Sequence, residues 1–95
     1  MTSNLKPSGY GDEHHRLLAY SAVSGIGKVR KHLGENIRSC RTRAGFSQEK
    51  LAEKADLHPV YISQVERGHK AVSVEALWKI SKSLRTPISE LFTGL

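Results

Sequence analysis

The sequence predicts an all-α domain of five short helices behind an N-terminal extension, and three observations predict it. Apolar residues recur at spacings of three and four from residue 28 onward. Starting residues (Ser47, Pro59, Ser73, Pro87) and stopping residues (Gly45, Gly68) punctuate that pattern at intervals that suit only small helices. No segment alternates apolar and polar residues as a half-buried strand would, and there is no internal repeat.

Residues 1–27 form the extension. Pro7, Gly9 and Gly11 stand among few apolar residues, so residues 1–11 are expected to be a partly disordered tail. Asp12 is a candidate cap for a short helix over 12–23 that carries Leu17, Leu18, Ala19, Ala22 and Val23. SGIG at 24–27 is expected to end it. GIGK at 25–28 is no phosphate loop, which needs GxxxxGK followed by Ser or Thr; here the first Gly is missing and Val29 follows the lysine.

The domain proper is placed at residues 28–95. Val29, Leu33, Ile37, Cys40 and Ala44 mark one face of its first helix, which Gly45 stops. Ser47 caps the second helix, Glu49 in its first turn suits the helix dipole, and Leu51, Ala52 and Ala55 face inward. Asp56-Leu57-His58 make a turn. Pro59 then opens the third helix, at a position where its missing N–H costs nothing. Ile62 and Val65 face inward and Gly68 ends that helix. Ser73 caps a fourth, with Leu77, Ile80 and Leu84 inside. Thr86-Pro87 opens a fifth, with Ile88, Leu91 and Phe92.

Ninety-five residues, 38% hydrophobic and 25% charged, describe one small globular domain. Such a domain buries about 60% of its unfolded surface and is marginal alone. A homodimer is therefore expected, through the C-terminal apolar residues Trp78, Ile88, Leu91 and Phe92. No apolar run approaches the roughly 18 residues of a membrane span, and MTSNLKPSGYGDEHH lacks the features of a secretory signal. A single cysteine, Cys40, excludes an internal disulfide framework and agrees with a cytoplasmic location; on the inward stripe it reads as a buried, inert thiol. His14-His15 has no second ligand pair beside it, so no metal is expected. Nothing resembles a paired-carboxylate pocket or an activated nucleophile, so neither an enzyme nor a cofactor is expected.

The net charge of +6 favours polyanionic partners, nucleic acid before an acidic membrane. Its distribution adds little. Residues 1–32 carry five basic and two acidic groups, and residues 33–95 ten and seven. Arrangement says more. In SQEKLAEKADLHPVYISQVERG, residues 47–68, two short helices follow one another almost without a linker. Isolated helices of this length are marginal in water, so their mutual angle must be held from outside. On the second of them Ile62 and Val65 face inward, while Val60, Ser63, Gln64 and Arg67 share the opposite face. A solvated face would carry Lys and Glu. An amide, a hydroxyl, a guanidinium and a small apolar group instead suit base edges: Gln for adenine, Arg for guanine, Val for a thymine methyl.

These residues carry a resemblance. G-F-S-Q-E-x-L-A-x-x-A at 45–55 and Y-I-S-x-V-E-R-G at 61–68 resemble the repressor/Cro-type, lambda-repressor-like helix-turn-helix family of bacterial and phage regulators. The likeness continues through S-V-E-A-L-W-K-I-S-K-S-L and P-I-S-E-L-F, covering about residues 33–94. LHPVYISQVERG is similar to the small controller proteins of restriction–modification systems. The resemblance implies a five-helix fold whose third helix enters the major groove of double-stranded DNA. It implies base reading by Pro59, Val60, Ser63 and Gln64, to which the outward face of the helix adds Arg67. It assigns backbone contacts to Gln48, His69 and Lys70, and a structural ion pair to Arg41 and Glu66; Ser47, Tyr61 and Arg43 are expected at the backbone beside them. Four departures stand out: His58 at the usual Ser/Thr cap, Pro59 without a side-chain donor, Val72 for a common Pro, and Arg85 where Gly is typical.

The expected function is therefore a sequence-specific double-stranded DNA-binding transcriptional regulator, a homodimer on a pseudo-palindromic operator. Two alternatives are an antitoxin whose residues 1–32 hold a toxin, and a protein-interaction module on the same fold. Lys28, Arg30 and Lys31 fit a solvated helix face and an extra phosphate-binding arm equally well.

Overall fold

The computed structural model describes the backbone of residues 13–95 and the side chains from residue 25 onward. The tail expected at 1–11 and the cap expected of Asp12 lie outside the described residues. Five helices follow in order: α1 Glu13–Arg43, α2 Gln48–Ala55, α3 Pro59–Glu66, α4 Val74–Leu84 and α5 Ile88–Leu91. No strand occurs among the described residues.

The helix ends obey the punctuation in the sequence. Ser47 and Ser73 accept hydrogen bonds on their hydroxyls from the amides of Lys50 and Ala76, each at 3.0 Å. Gly45 turns the chain at φ +79° after α1, and Gly68 at φ +74° after α3. The caps of α2 and α4 are made by residues that carry a Cβ: Asp56 at φ 56° and Arg85 at φ 54°. Asp tolerates this left-handed region, whereas Arg at a position that favours glycine holds strain there.

Three expectations are corrected. First, the chain does not break at SGIG. α1 is one helix of 31 residues, about 46 Å at 1.5 Å per residue. Gly25 and Gly27 have neither the positive φ of Gly45 nor any neighbouring atom within 4 Å. Each Gly costs a helix about 1 kcal/mol relative to Ala, less than is needed to stop propagation where helix-forming residues lie on both sides and no proline intervenes. Second, Val29 is 46% exposed and Ala44 is exposed as well. The bundle reaches only to about residue 31 of α1, so Val29 lies beyond what it could cover, and Ala44 already belongs to the turn. Third, Leu91 is fully buried in its own chain and offers no surface to a partner.

The core is a single cluster centred on Ile37, Leu51, Ile62, Ile80 and Leu91, each from a different helix. α1 packs against α3 and α5, α2 against α3 and α4, and α4 against α5. Two close approaches fix α1. Gly34 lies directly under the last turn of α3, where a Cβ would run into the carbonyls of Val65 and Glu66. Asn36 donates from Nδ2 to the carbonyls of Leu91 (2.8 Å) and Thr93 (2.9 Å), satisfying acceptors left open at the end of α5.

Candidate nucleic-acid interface

α3 has two faces with separate duties. Ile62, Val65 and Glu66 are buried beneath it. On the outside Val60 is 55% exposed, Ser63 and Gln64 are half-buried, and Arg67 is exposed. Pro59 stands half-buried at the first turn. His58, the unusual cap, works through its ring: Nδ1 accepts from the amide of Val60 at 3.1 Å, as a Ser or Thr hydroxyl would. The guanidinium of Arg67 lies back over the last turn, with Nε 3.4 Å from the carbonyl of Ser63.

What holds α3 at its angle is a buried polar network. Arg41 of α1 donates to Glu66 through both arms, Nε to Oε2 at 2.6 Å and Nη2 to Oε1 at 3.0 Å. Its remaining nitrogen, Nη1, donates to the carbonyl of Phe46 at 2.8 Å in the turn before α2. Gln48 of α2 donates from Nε2 to Glu66 Oε1 at 3.0 Å. One carboxylate thus joins α1, α2 and α3. The fork geometry makes the pair directional, so it sets orientation as well as attraction. Both charges are buried, which makes the loss of either partner costly.

Gln48 is tied to the network yet keeps a second amide N–H and its carbonyl oxygen. Tyr61 is half-buried, and its hydroxyl accepts from the amide of Ser73 at 3.2 Å, linking α3 to the start of α4. His69 and Lys70 are exposed in the turn between those helices. Arg43, expected beside the phosphate-facing residues, is held the other way: its guanidinium lies 3.6 Å from the carboxylate of Glu90 on α5. Of the apolar residues expected at a dimer contact, Trp78 is 53% and Phe92 40% exposed, Ile88 is half-buried, and Lys82 Nζ lies 5.3 Å from the Trp78 ring centre.

Two contributors to the site escaped the sequence reading. Gly34 within the α1 pattern carries no chemistry, and its one signal is a glycine where a helix prefers any other residue but proline. The second is contact between α1 and the turn after α3: a Cβ on Gly68 would meet Lys31 Cα at 2.8 Å and Lys31 N at 3.0 Å. The two backbones touch.

A buried brace under a short helix whose outer face is mixed and open defines a class. The helix-turn-helix family HTH_3 matches residues 37–91, and the chain belongs to this family of DNA-binding transcriptional regulators. Among its relatives, control protein C.BamHI of Bacillus amyloliquefaciens is 46% identical over 57 residues, 59% of this chain and 70% of that protein. Control protein C.SmaI of Serratia marcescens is 40% identical over 65 residues, 68% and 77% of the two chains. The crystal structure of the restriction-modification controller protein C.AhdI from Aeromonas hydrophila matches with a TM-score of 0.64 at 37% identity, covering 65% of this chain and 94% of that one. These relatives are regulators and controllers, not enzymes. Among the described residues no helix is long and apolar enough to cross a membrane.

Proposed function

We propose that this chain is a sequence-specific transcriptional regulator of the restriction–modification controller type. It acts as a homodimer on a pseudo-palindromic operator in double-stranded DNA. The observation that carries the reading is the outer face of α3. Val60 and Arg67 lie exposed, and Ser63 and Gln64 half-buried, on a helix that the Arg41–Glu66–Gln48 network holds from beneath. Rigid presentation of a few polar groups is what readout in the major groove requires. Gln48, Tyr61, His69, Lys70 and the start of α2 at Ser47 surround that face and would set the register on phosphates. Arg43, turned toward Glu90, is left out of the set.

Dimerisation is assigned to the exposed apolar side chains of α4 and the C-terminal segment, Trp78 and Phe92, with Ile88 at their margin. Two copies related by a twofold axis present two α3 helices to successive major grooves, so half-sites fall about one helical turn apart.

Selection from random-sequence duplex DNA at about 150 mM salt tests the proposal. It predicts an enriched inverted repeat with that spacing. Recovery of unenriched DNA, with affinity collapsing as salt rises, would reduce the chain to a backbone binder. An enriched single site without symmetry would remove the dimer.

A further inference from the structure

Lys28, Arg30 and Lys31 share one turn of α1, and the packing of α1 on α3 separates their roles. Lys31 sits against Gly68, where the two backbones touch. The next residues in the chain are His69 and Lys70, both exposed. Lys28 precedes Lys31 by three residues and so lies on the same side of α1. Arg30 points about 100° away from Lys31 and about 160° away from Lys28, at 3.6 residues per turn. All three are exposed, and none forms an ion pair among the described residues. The exposed cations Arg67 and Lys70, with the exposed His69 between them, therefore continue onto α1 through Lys31 and Lys28. The continuity of α1 through residues 24–27 sets Lys28 in the middle of a helix rather than at its first turn. The helix carries Lys28 past the end of α3 on a rigid axis.

We propose that Lys28 and Lys31 form a second phosphate-binding strip, gripping the backbone of the same duplex whose major groove α3 enters. The strip rests on the DNA-binding reading of α3 and extends the contact beyond the helix-turn-helix itself. Lys28 and Lys31 are about 4.5 Å apart along the helix axis. Successive phosphates of one strand rise about 3.4 Å along the duplex axis, and the flexible lysine stems span the remaining separation, so the two ammonium groups can meet neighbouring phosphates. Arg30 faces elsewhere and takes no part.

The test uses the full chain and a labelled duplex of about 30 base pairs, in random sequence and in the selected operator, titrated from about 50 to 200 mM salt. Each phosphate contact contributes about 0.9 to the slope of log affinity against log salt. Each substitution removes one contact per protomer, so in the dimer Lys28→Ala and Lys31→Ala should each flatten the slope by about 1.8, and the double variant by about 3.6. Arg30→Ala should leave it unchanged, and Lys28→Arg with Lys31→Arg should restore it. Circular dichroism confirms equal helicity in all variants.

A double alanine variant with the wild-type slope would overturn the strip. So would an Arg30→Ala slope as flat as the lysine variants, because net charge alone would then explain the effect. The reading of α3 fails separately. A wild-type chain that enriches no sequence loses its base readout, while its slope on the random duplex still decides the strip. Absence of any binding at about 50 mM salt would remove both.

Discussion

Glu66 is a buried carboxylate with three donor contacts: two from Arg41 and one from Gln48. Removing it strands the guanidinium of Arg41, a residue only 9% exposed, with only the Phe46 carbonyl for company. Loss of one partner from a buried pair costs about 3–5 kcal/mol. Glu66→Ala should therefore lower the denaturant midpoint sharply and abolish binding to any DNA, as α3 loses its bearing. On the outer face the effects divide by role. Gln64→Ala should relax preference at one base pair, by about 1–3 kcal/mol of discrimination, with little change in stability. Lys70→Ala should weaken all sequences alike and reduce the salt slope by about one for each bound protomer. Binding arrays on operator variants distinguish the two; equal losses on specific and random DNA for both would sink this assignment of roles.

At the level of elements, α2, α3 and α4 were legible because their caps are chemical. Ser47, Ser73 and Pro59 announce starts that do not depend on tertiary context. What was not legible depended on the absence of a neighbour. SGIG looks like a terminator, but a glycine ends a helix only where the chain adopts positive φ, and Gly25 and Gly27 do not. Val29 continues the apolar period of Leu33 and Ile37 onto a stretch that no other helix covers. The ion pair was reached through resemblance, since Arg41 and Glu66 are 25 residues apart and no local spacing links them. Gly34 could be understood only after α3 was placed above it. The cap of α4 yields a prediction of its own. Arg85 holds φ 54°, a conformation costing a residue with a Cβ about 1–2 kcal/mol. Glycine gives back part of that gain through unfolded-state entropy. Arg85→Gly should raise stability by about 0.5–1 kcal/mol, seen as a higher thermal midpoint with DNA binding unchanged. A lower midpoint would mean that the arginine side chain contributes more than its backbone strain removes.

For the molecule as a whole, two terms compete. A bundle of this size is marginal by itself, and Trp78 and Phe92 leave apolar area exposed. Pairing two copies would cover it and make regulation depend on protein concentration. Trp78→Ala combined with Phe92→Ala removes exposed side chains, so each copy should keep its fold while sedimentation shows a monomer at concentrations where the wild type is a dimer. Operator affinity should then fall with a steeper dependence on protein concentration. Identical sedimentation of variant and wild type would place the interface elsewhere.

The division of α3 into a buried and an open side has an evolutionary consequence. Ile62, Val65 and Glu66 are buried, while Val60 is exposed and Ser63 and Gln64 are half-buried on the opposite side. Changing the outer set disturbs the core far less than changing the inner one. A lineage can therefore acquire a new target site by a handful of neutral-to-stability steps, with no compensating repair underneath. The address is rewritable, and the hand that holds it out stays the same.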